Sequence, residues 1–164
     1  MKKIIVILLM LSMCFGLCAC SQEDRKFAEC VAVADARVQE AQEKYFKDSP
    51  FTLKTKAESN GKTYTIELEV FQGDKLTNWI DKAIEEAARG SGLSDLQIEA
   101  AKKLTQGQYN SVSKGSGLLA LVYLTLPLKD FEENGITLKL VHINNEGKET
   151  EVTEDMMIEA MEEL

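Results

Sequence analysis

The chain has 164 residues, with 19 basic against 27 acidic side chains and a formal net charge of −8. That size suffices for one ordinary buried core and requires no second domain. The acidic balance excludes nucleic acid as a partner, since such binding rests on neutralising phosphates with Lys and Arg, and it disfavours anionic lipid headgroups. Solubility accounts for the acidity better than a docking face for a basic partner does.

Lys2 and Lys3 precede an apolar run from Ile4 to Leu17, and a small residue, Ala19, stands before Cys20. A charged start, an apolar middle and a small residue before the cut have the form of a secretory signal peptide. The run is interrupted by Ser12 and Gly16 and falls short of the roughly 20 apolar residues that a spanning helix needs. A cleaved leader is therefore favoured over a permanent span. Leu17-Cys18-Ala19-Cys20 resembles a bacterial lipobox, and on these residues the chain resembles a bacterial lipoprotein. The resemblance implies cleavage after Ala19, lipid on the sulfur of Cys20, and attachment to a membrane through that lipid. It implies a place in the cell envelope: the outer membrane or cell surface of a Gram-negative cell, or the outer face of the cytoplasmic membrane of a Gram-positive one. The chain then divides into a leader at 1–19, a short tether at 20–25 and a single α+β domain at 26–164. The mature part keeps 17 basic and 27 acidic residues, a net charge of −10.

Cys14 and Cys18 would leave with the leader. With Cys20 bound to lipid, Cys30 has no partner for an intramolecular disulfide, whereas in an unprocessed chain Cys20 and Cys30 could pair. Cys30 reads as a small buried hydrophobe rather than a nucleophile. Ser21-Gln22-Glu23-Asp24 is similar to the surface-export signals of some Bacteroidetes lipoproteins, and the non-acidic Ser21 fits outer-membrane sorting in other Gram-negative bacteria. Five extended residues from Cys20 to Arg25 reach at most about 18 Å, which keeps the domain close to the membrane.

From Phe27 the spacing of Phe27, Val31, Ala34, Val38, Ala41 and Tyr45 predicts one apolar helical stripe, stopped by Ser49-Pro50. Packing onto the chain's own sheet is favoured over a coiled coil between two copies, because alanines alternate along the seam. Phe51, Leu53, Thr55 and Ala57 then alternate with polar residues, Asn60-Gly61 follows, and Tyr64, Ile66, Leu68 and Val70 alternate in turn. Asn-Gly suits a type I′ hairpin turn. A two-residue loop pairs Ala57 with Tyr64, Leu53 with Leu68 and Phe51 with Val70, which places the apolar residues of both strands on one face. On the other face Lys54 lies opposite Glu67, a favourable cross-strand pair.

After Gly73, the residues Leu76, Trp79, Ile80, Ala83, Ile84 and Ala87 predict a helix that ends at Gly90-Ser91-Gly92. Trp79 reads as core rather than as a sugar-stacking platform. Ser94 and Gln97 form a capping box, flanked by a Leu93–Ile98 staple, for a helix running through Ala101 and Leu104 to Gly107. Gln106 to Gly117 is rich in Gly and Ser and reads as a flexible loop, the first place to seek a binding surface. Its Lys114-Gly115-Ser116-Gly117 lacks the spacing of a phosphate loop.

Leu118 to Leu126 is almost wholly apolar before Pro127, which predicts a strand buried on both faces at the centre of the sheet. Asn134-Gly135 turns the chain into an alternating strand at 136–140, and Asn144-Asn145-Glu146-Gly147 into a last strand at 148–152. Glu149 and Glu151 there suit an exposed edge. Thr153 caps a helix over 154–162 with Met157, Met161 and Leu164 on one stripe. His142, the single histidine, shares the parity of Ile136, Leu138 and Leu140 and is expected to be half buried. Neither metal nor catalytic partners stand at a suitable spacing from it.

Together these elements predict an α+β domain in the order α-β-β-α-α-β-β-β-α: a mostly antiparallel sheet of about five strands with helices packed on one face. The outline loosely resembles small bacterial lipoproteins of unassigned function, which offer no motif from which a site could be carried over. Two functional classes follow. One is a non-enzymatic binding or scaffolding module for another envelope protein, needing no cofactor or metal, with Cys20 as its one modified residue. The other is an envelope hydrolase with a carboxylate-based site, although the paired acids Glu85-Glu86 and Glu132-Glu133 look solvated. A deep pocket with two convergent carboxylates, or His142 beside Cys30, would favour the enzyme.

Overall fold

In a computed structural model, residues 22–89 and 91–162 are described. The expected leader at 1–19 and the expected lipid site, Cys20, lie outside these residues. Helix α1 (Gln22–Ala41) runs directly into a π-helical turn (Gln42–Phe46). Strands β1 (Phe51–Glu58) and β2 (Thr63–Val70) follow. Four helices come next: α2 (Asp74–Ala88), α3 (Asp95–Asn110), α4 (Val112–Tyr123) and α5 (Leu128–Glu133). Strands β3 (Thr137–Ile143) and β4 (Glu149–Glu151) and helix α6 (Glu154–Glu162) end the described chain.

The class is α+β, as the pattern of elements implies, but the sheet has four strands in the order β1-β2-β3-β4 rather than five. It is mixed: β1–β2 and β3–β4 pair antiparallel, whereas β2 and β3 run parallel. The missing strand is the apolar stretch 118–126, which instead forms the second half of α4 and the turn after it. A short apolar run has the same sequence signature in a central strand and in a buried helix, and here the residues before it decide the outcome. Ser111 caps the helix by accepting a hydrogen bond from the Lys114 amide, and Gly115, Ser116 and Gly117 are buried, not looped. The expected flexible loop at 106–117 is thus the end of α3, a one-residue break at Ser111 and the start of α4.

The hairpin has the expected register, with Phe51 opposite Val70, Leu53 opposite Leu68 and Ala57 opposite Tyr64. Its turn is not type I′. The positive φ of 43° falls on Lys62, not on Asn60 or Gly61, and Lys62 donates its amide to Ser59 O at 3.1 Å. The tip therefore spans Ser59–Lys62 while the register stays the same. Lys54 does face Glu67 across the ladder, yet the ion pairs are diagonal, Lys54 with Glu69 and Lys56 with Glu67. Long flexible lysines reach the diagonal neighbour as readily as the opposite one. Glu67 is buried on a face that it shares with Lys54, Lys56 and Glu69 and, from β3, with Val141 and Ile143.

Tyr64, Ile66, Leu68 and Val70 of β2 and Leu140 and His142 of β3 are buried on the other face. Three helices close over that face. Tyr64 donates its hydroxyl to Asp35 of α1 at 2.7 Å and stacks edge-on against Phe131 of α5, while His142 meets Gly115 of α4. The α1 stripe is buried at Phe27, Ala34, Val38 and Ala41, but its continuation differs from expectation: Tyr45 is exposed and Phe46 is buried. The π turn inserts an extra residue between successive core positions, so the stripe advances from Ala41 by five. Helix α2 buries Leu76 and Ile80, and Trp79 packs at the margin of the core.

The capping box of α3 forms as expected, yet the helix runs on past Gly107 to Asn110 and buries no side chain completely. At the end of β3, Gly147 has a φ of 81° and the Asn144 side chain accepts the amides of Glu146 and Lys148, closing the expected turn into β4. Glu149 and Glu151 are exposed on this edge strand. On α6, Met157 and Ala160 are buried while Met161 is largely exposed. Of the tether expected at 20–25, Gln22 to Arg25 are helical, and Cys20 and Ser21 lie outside the described residues.

Candidate functional site

A groove of about 850 Å³ lies between the second half of α1 and the edge strand β1. Its walls include Asp35, Gln39 and Glu43 from the helical side and Leu53 and Thr55 from the strand. Among the described residues, β1 pairs with a strand, β2, on one side only, and its other edge faces this groove. Gln42 answers one backbone group of β1, its side-chain oxygen accepting the Leu53 amide at 2.7 Å. Asp35, which lines the groove, accepts the Tyr64 hydroxyl. Burial, reinforced by that carboxylate, holds the Tyr64 phenol well above its ordinary range, so it remains a neutral donor.

Cys30 lies in a shallower hollow with Lys26, Glu29, Asp130 and Asn134, and the Asn134 side-chain amide approaches its sulfur at 3.5 Å. Burial pushes the thiol pKa up, and the carboxylates of Asp130 and Glu29 push it further. The thiolate is the reactive form of cysteine, so these surroundings suppress nucleophilic chemistry at Cys30.

His142 is fully buried, not half buried as its position near the strand end suggested. The small residues of α4 cause this: a Cβ placed on Gly115 would lie 2.4 Å from His142 Cδ2, so the helix backbone itself covers the ring. Neither ring nitrogen has a hydrogen-bond partner among the described residues. Burial alone drives the imidazole pKa below 6.5, and the ring is neutral in the folded protein. The unfolded chain therefore binds a proton that the folded one refuses. The resulting stability is fully present above about pH 6.5 and is lost as the pH falls below it. Denaturant midpoints are expected to drop below that point more steeply for the parent than for His142→Leu. Profiles that stay parallel from about pH 7.5 to 5 would show that this ring does not titrate with unfolding.

His142 thus sits under α4, while Cys30 lies on α1 beside the end of α5. Of the acid pairs, Glu132 and Glu133 are exposed, as are Glu85 and Glu86. Glu85 is committed to Lys102, whose ammonium also reaches Asp81 and Glu99 at 3.4 Å each and so clamps α3 to α2. Trp79 stacks edge-on against Tyr109 at 5.4 Å, and Tyr109 in turn lies beneath the Lys114 ammonium. This indole is a second clamp on the same helix pair. Among the described residues, no cluster of three or more His, Cys, Asp or Glu is arranged to hold a metal, and no helix is long and apolar enough to cross a membrane. The segment expected to be a binding loop lines a smaller cavity of about 450 Å³, bordered by Ser111, Lys114, Gly117, Leu121 and Ala160.

Neither the groove beside β1 nor the partner-free side of that strand was legible in the sequence, which does not show which strand ends the sheet. The alternation of 51–57, with weakly apolar Thr55 and Ala57 at its far end, was the one available signal. No family model, curated protein or solved structure matches the chain.

Proposed function

We propose that this chain is a bacterial envelope lipoprotein, anchored through lipid on Cys20, that acts as a non-enzymatic binding or scaffolding module. The observation that carries this reading is the lipobox-like Leu17-Cys18-Ala19-Cys20 behind a charged, apolar leader. The start of α1 at Gln22 supports a close mooring, because two extended residues reach only about 7 Å. Lys62 of the hairpin tip pairs with Glu23 at 3.1 Å, and the Lys62 carbonyl accepts the Thr137 amide at 2.8 Å. The hairpin tip and the start of β3 therefore gather at the moored end. The groove between α1 and β1 is the surface assigned to a partner, where an extended segment could add to the free side of β1. The protonated Cys30 thiol and the sealed His142 ring favour this reading over a hydrolase.

Mass spectrometry of the protein isolated from its native membranes tests the anchor. The expected result is an amino terminus at Cys20 carrying acyl chains, with Cys20→Ser abolishing the modification and membrane retention. An unmodified Cys20 sulfur, or an intact leader on protein inside the cell, would overturn the reading.

A further inference from the structure

Helix α3 carries two opposed faces. Lys102 and Tyr109 turn toward α2, where they meet Asp81, Glu85 and Trp79. At about 100° per residue, Leu96, Ala100 and Leu104 line the opposite side. Leu96 is 81% exposed, the most of any large hydrophobic side chain among the described residues, Leu104 is 68% exposed, and Leu93 just before the cap is 48% exposed. Leucines so open, on a helix held in place from its other side, mark an interaction surface rather than an unfilled core.

We propose that this face binds a second copy of the chain, with the two α3 helices antiparallel about a two-fold axis at Ala100. A two-fold interface joins a patch to itself, so its residues must be spaced symmetrically about the axis. Leu96 and Leu104 stand four residues on either side of Ala100, which sets Leu96 of one copy against Leu104 of the other, twice. Ala100 at the axis lets the backbones approach closely. The charges agree with this direction. Glu99 and Lys103 are both exposed and flank the stripe on one side. In the antiparallel arrangement this edge meets the same edge of the second copy, which brings Lys103 within a turn of Glu99 of that copy, whereas a parallel one would set it against the uncharged edge that carries Gln97, Ala101 and Gln108. The net negative charge of the chain also makes anionic lipid the poorer occupant. The pairing rests on α3 alone and does not depend on lipid at Cys20.

The test is oxidative crosslinking of the full chain, isolated in detergent, carrying Ala100→Cys in a Cys30→Ser background. The expected result is a disulfide-linked dimer at about tenfold or more above that from Lys82→Cys on exposed α2, because pairing raises the local thiol concentration. Leu96→Glu with Leu104→Glu should abolish the excess while circular dichroism remains that of the folded parent, since both leucines are exposed in the single chain. Lys103→Glu should weaken it, and adding Glu99→Lys should restore it. Equal crosslinking from the Ala100 and Lys82 positions, an excess that survives the double glutamate variant, or a crosslink to a different protein would each overturn the proposal.

Discussion

Phe46→Ala is expected to lower the unfolding free energy by about 3–5 kcal/mol, the range for emptying a buried phenylalanine site. Tyr45→Ala is expected to change it by less than about 1 kcal/mol. The contrast follows from one π turn. With uniform α-helical spacing, the stripe through Val38 and Ala41 would reach Tyr45. The turn over Gln42–Phe46 shifts the inward position by one residue, so Phe46 is 1% exposed and meets Phe51 edge-on at 6.3 Å, while Tyr45 is 41% exposed. Urea unfolding of both variants checks the contrast. Equal losses would place the two rings in equivalent surroundings and contradict the shifted phase.

Gly115→Ala and Gly107→Ala are expected to act in opposite directions, although each exchanges a helical glycine for the best helix former. At both positions alanine gains up to about 1 kcal/mol of helix propensity. At Gly107 the new methyl group meets open space, so that gain survives. At Gly115 it would meet Cδ2, Cγ and Nε2 of His142 at 2.4, 2.7 and 2.9 Å. The ring is buried against the sheet and cannot swing aside, so the helix must lift. Overpacking of this kind costs about 1–3 kcal/mol, enough to outweigh the propensity. Thermal melts should show a higher Tm for Gly107→Ala and a lower one for Gly115→Ala. A stabilised Gly115→Ala would mean that α4 does not press on the imidazole.

The hairpin and the helix stripes were legible because their information is local. Alternation about Asn60-Gly61 settles the register whatever the turn type, and the Ser94–Gln97 capping box marks a helix start from four residues alone. The middle of the chain was not, for two physical reasons. Gly115, Ser116 and Gly117 have the composition of a loop, but their smallness serves close packing of a helix on a sheet, and that use appears only when the sheet is present. The parallel direction of β3 is equally non-local, because an alternating strand such as 137–143 reads the same from either end. As for the site, Cys30 and His142 could be singled out by type, but what surrounds them depends on neighbours far along the chain: Asn134 for the thiol, Gly115 for the ring.

The parallel pairing of β2 with β3 also dictates an order of assembly. β1 and β2 can zip together as soon as both exist, since only a short turn separates them. Thr63 meets Thr137 only after four intervening helices have been made and gathered in. Until then one side of β2 is an open template, and Ile66, Leu68 and Val70 lack their cover. Closing so long a loop is slow relative to hairpin formation. The half-built chain therefore exposes a strand edge and apolar side chains for an interval set by its topology, the state in which a folding chain is most prone to aggregate.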